Sequence, residues 1–323
     1  MKTAGDLQRF YDNELLPVLT DLEKRRKAIF RNIVIAFAVV LFVAGAIGAC
    51  SLRSQGSPTA LIMIAVLGIM ALVTIGMFLS KGFIRDFKIS VIGRVAGYCD
   101  PNLSYLPESY VSRAEFESST LFKQGIDRYR GEDLGSGQLG KTAVRFSEVH
   151  AEYKTTTRDS RGRTRTQWHT IFKGLFFIAD FNKHFSGRTV VLPDTAERFF
   201  GRFGQTLQNM NLSRADLIKL EDPEFERQFV VYGTDQVESR YILSTSLMRR
   251  ILEFQKEVDA PLHIAFVASQ IYIAVSTRKN MFEPRIIKTI LDIDLIQEYV
   301  EDLQFAMGMV EDLNLNTRIW SKA

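Results

Sequence analysis

Apolar and polar positions follow three different periods along this chain. Asn32–Leu52 and Pro58–Ser80 are apolar almost throughout and contain no Asp, Glu, Lys, Arg or His. Each has roughly the 20 residues that an α-helix needs to cross a hydrocarbon core of about 30 Å. Arg53–Ser57 joins them. Helical spacing surrounds the pair. Phe10, Leu15, Leu16, Leu19 and Leu22 mark a helix over Asp6–Phe30, which Pro17 should kink or start late. Phe83, Phe87, Val91 and Val95 mark another over Gly82–Tyr98, ended by Asp100-Pro101-Asn102.

Beyond Ser112-x-x-Glu115, a capping-box pattern opening a short helix over Arg113–Phe122, the period changes to that of strands. Gly125–Leu134 and Lys141–Thr157 alternate around a glycine-rich turn, Gly135–Gly140. Val144–Thr157 and Thr164–Ile178 predict a long hairpin with its tip at Arg158–Arg163. Further strands are expected at Phe172–Asp180, Arg188–Leu192, Leu217–Leu220 and Gln228–Tyr232. A short hairpin spans Leu262–Val267 and Gln270–Ser276 across Ala268-Ser269. Helices are expected over Asp194–Asn209, Thr245–Val258 behind Ser244, and Arg285–Leu313 with a break near Asp292–Asp294.

The fold class expected is a membrane protein. Residues 1–31 form an N-terminal cytoplasmic juxtamembrane helix and residues 32–80 a two-helix transmembrane hairpin (32–52, 58–80). Residues 81–323 form a cytoplasmic α+β domain with a mostly antiparallel sheet. Lys24, Arg25, Arg26, Lys27 and Arg31 precede the spans and Lys81, Arg85 and Lys88 come after them, whereas the connecting loop holds only Arg53. Basic residues gather on the cytoplasmic side, so both termini face the cytoplasm. Spans without an ionisable residue argue against transport or proton relay. Ala44, Gly45, Gly48 and Ala49, with Gly68 and Gly76, permit close helix approach, within the hairpin or between copies in an oligomer.

Composition adds little to this picture. The 323 residues carry a net charge of +4, and 24 Phe, 10 Tyr and 2 Trp suffice for a core. The excess charge lies beside the spans and in Lys154–Arg165, which fits an anionic leaflet more simply than nucleic acid. Cys50 and Cys99 fall on opposite sides of the expected bilayer and form no disulfide framework. Ile47-Gly48-Ala49-Cys50 looks like a lipoprotein cleavage site. The roughly thirty residues before the apolar run are too many for a signal n-region.

Candidate chemistry is sparse. Lys154, Arg158, Arg161, Arg163 and Arg165 make the long hairpin's tip a candidate contact for anionic lipid or an acidic partner. Gly135-x-x-x-x-Gly140-Lys141-Thr142 has the letters of a phosphate-binding loop. Ala143–Ala151, immediately after it, alternates like a strand, and without a helix N-terminus the loop loses its hold on phosphate. His150, His169, His184 and His263 show no metal-ligand spacing, although His150 and His169 could meet across the hairpin. No metal, cofactor or nucleophilic constellation is implied.

Phe229-Val230-Val231-Tyr232-Gly233-Thr234-Asp235-Gln236-Val237-Glu238-Ser239-Arg240-Tyr241-Ile242-Leu243 and Phe172–Phe176 through Val190–Pro193 resemble the bacterial family DUF3137. So does the basic-flanked double span. The resemblance implies an inner-membrane protein, of a family with no assigned activity or catalytic residue, and a LemA-type membrane protein as a partner. Within the motif, Asp235, Glu238 and Arg240 could form a structural ion-pair cluster or a binding groove. The function expected is a membrane-anchored binding or scaffold module that recruits a protein or anionic lipid. The alternative is a membrane-bound enzyme that binds nucleotide through Gly135–Thr142.

Overall fold

The computed structural model describes residues 4–53, 58–158, 162–181, 183–194, 216–258, 260–277 and 280–315. Outside them fall Arg161 and all but the first residue of the helix expected over Asp194–Asn209. The same holds for the side chain of Cys50. The chain folds as two units, Met1–Tyr98 with Phe282–Tyr299, and Cys99–Met281 with Val300–Ala323.

The first unit is helical. Helix α1 (Ala4–Phe10) runs through a π turn, Tyr11–Leu15, into α2 (Leu16–Arg53). Helix α3 (Pro58–Phe87) runs through a second π turn, Lys88–Ile92, into α4 (Gly93–Cys99). Pro17 does not break the first helix. It cannot donate to a carbonyl one turn back, and the wider π turn just before it absorbs the misfit. Two of these helices are long and apolar enough to cross a membrane. Their apolar side chains point outward, with Phe42 77% exposed and Phe78 81%. Where the two approach, a Cβ on Gly68 would sit 3.1 Å from Val40 Cγ1.

Below the apolar stretches the same helices bury charge. The Arg26 guanidinium donates to both carboxylate oxygens of Glu23 at 2.8 Å, and its remaining nitrogen donates to the carbonyls of Ile286 and Ile287. Glu23 also accepts the Ile290 N–H, 3.2 Å away. The Arg26 hydrogen bonds hold the Glu23 carboxyl below its ordinary range against the opposing effect of burial. Lys88, itself buried, lies 2.8 Å from Glu283. Segment 282–292, of which the part from Arg285 is expected as helix, is irregular backbone, and Arg26 and Glu23 bond its Ile286 and Ile287 carbonyls and its Ile290 N–H. The final helix starts at Ile293.

The second unit is built on a nine-stranded antiparallel sheet. Its strands are β1 (Leu103–Leu106), β2 (Arg128–Leu139), β3 (Thr142–Arg158), β4 (Thr164–Asp180) and β5 (Arg188–Pro193). They continue as β6 (Asp216–Leu217), β7 (Phe229–Gly233), β8 (Leu262–Val267) and β9 (Gln270–Ser276). Their order is β1-β2-β3-β4-β9-β8-β5-β7-β6. Helix α5 (Arg113–Ser118) ends earlier than its spacing predicts but carries the full Ser112–Glu115 capping box. With the segment after it, α5 covers one sheet face, where Phe116, Phe172, Phe176, Val190 and Ala265 form a core. Alternate residues of β8 and β9, among them Ile264, Phe266, Ile271 and Ile273, are fully buried too. Both faces of the sheet's centre are thus covered. Helices α6 (Pro223–Gln228), α7 (Gln236–Ile242), α8 (Thr245–Val258) and α9 (Ile293–Asp312) complete the chain. Phe254 of α8 stacks on Phe305 of α9.

Several expectations hold. The hairpin of β8 and β9 turns at Ala268-Ser269, both with positive φ, as a two-residue turn matched to strand twist requires. The long hairpin of β3 and β4 is also present. The glycine-rich turn is a correction. Strand β2 continues through Gly135 and Gly137 to Leu139, and the chain reverses at Gly140-Lys141. A Cβ on Gly135 would overlap the Phe146 ring of β3, so this glycine marks close approach within a sheet and not a turn. Gly135→Ala should cost about 1–3 kcal/mol through overpacking, and less in a Phe146→Leu background. Thermal unfolding of the single and double variants in detergent measures this.

Candidate functional site

Strands β3 and β4 outrun their neighbours. Pairing of β2 with β3 ends at Arg128↔Glu152, and pairing of β9 with β4 ends at Gly174↔Ser276. The β3–β4 ladder continues from Glu152↔Thr170 to Arg158↔Thr164 as a two-stranded ribbon. The register shifts where the ribbon leaves the sheet: Ala151 faces Phe172 and Glu152 faces Thr170, so Ile171 is an extra residue in β4. A bulge there bends and twists the strands out of the sheet. Lys154, Thr156, Thr157, Arg158 and every residue from Thr164 to Trp168 are exposed.

The base of the ribbon is locked by charge and aromatic contacts. Arg128 and Arg130 both reach one oxygen of the buried Glu152, at 2.8 and 3.1 Å. The Arg128 guanidinium also lies 3.8 Å above the Trp168 ring. Across the ribbon His169 stacks on Tyr153, and its Nε2 lies 2.8 Å from Thr155 Oγ1. Asp127 accepts the Lys154 N–H at 2.8 Å and lies 4.0 Å from its Nζ, and Arg158 donates to the Gly162 carbonyl. Of the five basic residues singled out, Lys154, Arg158, Arg163 and Arg165 lie on the described ribbon, and Arg161 lies outside the described residues.

The Gly135–Thr142 loop pairs as strand on both sides of Gly140-Lys141, with Leu139 opposite Thr142 and Gly135 opposite Phe146. The chain beyond it is strand β3, so the loop does not lead into a helix N-terminus. The two histidines are not brought together. His150 pairs across to Lys173 and lies 3.4 Å from Thr170 Oγ1, whereas His169 faces Tyr153.

The motif at Asp235, Glu238 and Arg240 is a structural clamp. No ion pair joins these three among the described residues. Asp235 caps α7 by accepting the Glu238 N–H at 2.8 Å. Glu238 accepts the N–H groups of Ser186 and Gly187 at 2.8 and 2.6 Å. Arg240 donates to the Lys219 carbonyl. Thr234 Oγ1 accepts the Arg188 N–H, and Lys183 donates to the Tyr241 carbonyl at the far end of α7. A Cβ on Gly187 would overlap the Glu238 carboxylate, so this contact requires glycine. The clamp holds α7 on the turn before β5. Asp235-x-x-Glu238 is a legible helix start that the neighbouring alternation obscures.

One cluster carries no local signal. Glu132, Asp133 and Glu148 bring carboxylate oxygens within 4.8 Å of one another, an arrangement able to hold a divalent cation. Register creates it, because Glu132 lies opposite Glu148 and Asp133 sits in the bulge of β2 with positive φ. Tyr105 donates its hydroxyl to Asp133, and the Met281 N–H donates to Glu148. Protein donors thus already engage Asp133 and Glu148.

The family described as "Protein of unknown function (DUF3137)" matches residues 170–315, which bears out the resemblance carried by Phe229–Leu243. No curated protein matches the chain. Among solved structures, the crystal structure of the mycobacterial trehalose monomycolate transport factor A, TtfA, is similar at 11% identity with a TM-score of 0.31. The similarity covers 67% of this chain and 95% of that one. A score that low bears on neither fold nor function.

The side chains of this unit support two measurements. Glu238→Ala strips two backbone donors of a charged acceptor and should cost about 2–3 kcal/mol, read as a lowered unfolding midpoint. Burial pushes His263 down to about 4, against the upward pull of the backbone at Ala274 and Pro261. Between its ordinary 6.5 and about 4 the unfolded chain binds the proton and the folded one does not. Stability should therefore fall as pH drops through that window. His263→Leu should flatten this part of the acid-side melting profile.

Proposed function

We propose that this chain, whose residues 170–315 match the DUF3137 family, is a membrane-anchored binding module. The two apolar helices insert as a hairpin in the bacterial inner membrane, with both termini and the sheet unit on the cytoplasmic side. Two features support insertion: apolar side chains exposed around Phe42 and Phe78, and basic residues gathered at the ends away from the connecting loop, which itself holds only Arg53. The working surface is the ribbon of β3 and β4, which recruits an anionic partner.

The observation that carries this reading is the ribbon itself. Nine strands form one sheet, yet this pair runs past its neighbours and carries Lys154, Arg158, Arg163 and Arg165. A two-stranded ribbon is marginal in water unless packed or paired. Extending one beyond the sheet therefore costs stability that a binding surface would justify. Each basic residue near an anionic surface contributes about 1 kcal/mol, so four acting together supply about 4 kcal/mol, a millimolar-scale attraction.

The test places a photo-cross-linking residue at Thr166 of the full chain in native membranes. A second version has Lys154, Arg158, Arg163 and Arg165 replaced by Gln. Cross-links to lipid or protein should weaken with added salt and disappear in the neutral version. Equal cross-linking in both versions would discard the ribbon as the binding surface.

A further inference from the structure

We propose that the partner of the ribbon is an extended acidic polypeptide segment, added as a further strand along the open edge of β4 from Thr164 to Thr170. The inference rests on the reading of the ribbon as the binding surface and goes further, to the kind of partner and the mode of contact.

The two edges of the ribbon are not equivalent. On the β3 side the Asp127 carboxylate already occupies the edge near the base, accepting the Lys154 N–H at 2.8 Å and lying 4.0 Å from Lys154 Nζ. On the β4 side the Thr277 N–H, just after β9, donates to the Lys173 carbonyl. From Thr170 outward β4 has no strand neighbour on that side among the described residues. The open row lies beside the line where β9 stops.

Open edges are usually blunted by proline, by a bulge or by charge. The bulge at Ile171 lies at the base, and Thr164–Thr170 beyond it contains no proline and no glycine. Thr164, Thr166, Trp168 and Thr170 favour extended backbone. The defence that remains is positive charge from Arg158, Arg163 and Arg165. That charge repels a second copy of the same edge and selects a strand that brings carboxylates. Asp127 shows the contact in miniature, with one carboxylate taking both an edge amide and the ammonium of the same lysine. A bilayer surface would use the charge and leave the edge amides unpaired, so strand addition accounts for more of the geometry.

The probe is a fluorescent peptide of about seven residues alternating Thr and Glu, matched to the edge at about 3.4 Å per residue. It is added at up to about 1 mM to the full chain in nanodiscs of zwitterionic lipid. Binding is read by anisotropy, and hydrogen exchange tracks the amides of 164–170 in the wild-type chain. The expected result is charge-dependent binding that slows exchange along this edge. N-methylating one alternate set of peptide amides should weaken binding about tenfold while the other set is tolerated. Arg163→Gln with Arg165→Gln should weaken it and flatten its salt dependence. Charge-dependent binding indifferent to both methylation patterns overturns strand addition and leaves the binding-module reading standing. Protection by phosphatidylglycerol vesicles and not by the peptide overturns the polypeptide partner. Loss of all charge-dependent binding, together with unchanged cross-linking in the neutral ribbon, overturns both.

Discussion

The antiparallel ladder between β3 and β4 is the constraint on which the sheet unit depends. Its inner half, from Val144↔Ala179 to Ala151↔Phe172, carries the residues that pack both faces: Val149, Phe172 and Phe176 on one side, Phe146 and Phe177 on the other. On one flank β2 attaches to it, and on the other β9 brings β8, β5, β7 and β6. Each flanking strand stops near the same level, so one ladder is core at one end and free ribbon at the other. Burial stabilises the inner half and lets the outer half persist without neighbours.

The helical unit solves a different problem with buried charge. Segment 282–292 has no secondary structure of its own, and its amides and carbonyls need partners. Arg26 and Glu23, paired to each other and each bonded to that segment, provide them. Lys88, within the second π turn, holds Glu283. A pair of this kind adds little net stability but punishes the loss of either member, which makes it a device for specifying one docking position.

What could be read from the sequence is what local chemistry decides. The apolar stretches, the Ser112–Glu115 capping box, the Ala268-Ser269 turn and the Thr245–Val258 helix each announce themselves within one turn or one strand. Gly135 misleads because its reason lies across the sheet, in the Phe146 ring. Asp222-Pro223 and Asp235-x-x-Glu238 are start signals for α6 and α7, overshadowed by the alternation beside them. Glu238 holding Ser186 and Gly187, and the meeting of Glu132, Asp133 and Glu148, are products of register that no spacing displays. The ribbon is half legible. Its basic tip is written in the residues, but that β2 and β9 stop short of it belongs to the sheet alone.

The extra residue at Ile171 uncouples two registers. Inside the bulge, each β3–β4 pairing fixes which side chains enter the core, and a slip by one residue would turn every one of them outward. Outside it, the count starts afresh, because the ladder has already absorbed a one-residue offset. The ribbon can therefore gain or lose residue pairs, or exchange one set of charges for another, without moving Phe172 or Phe176. Within one fold, the packed half is held to its sequence while the projecting half is free to be fitted to whatever it meets.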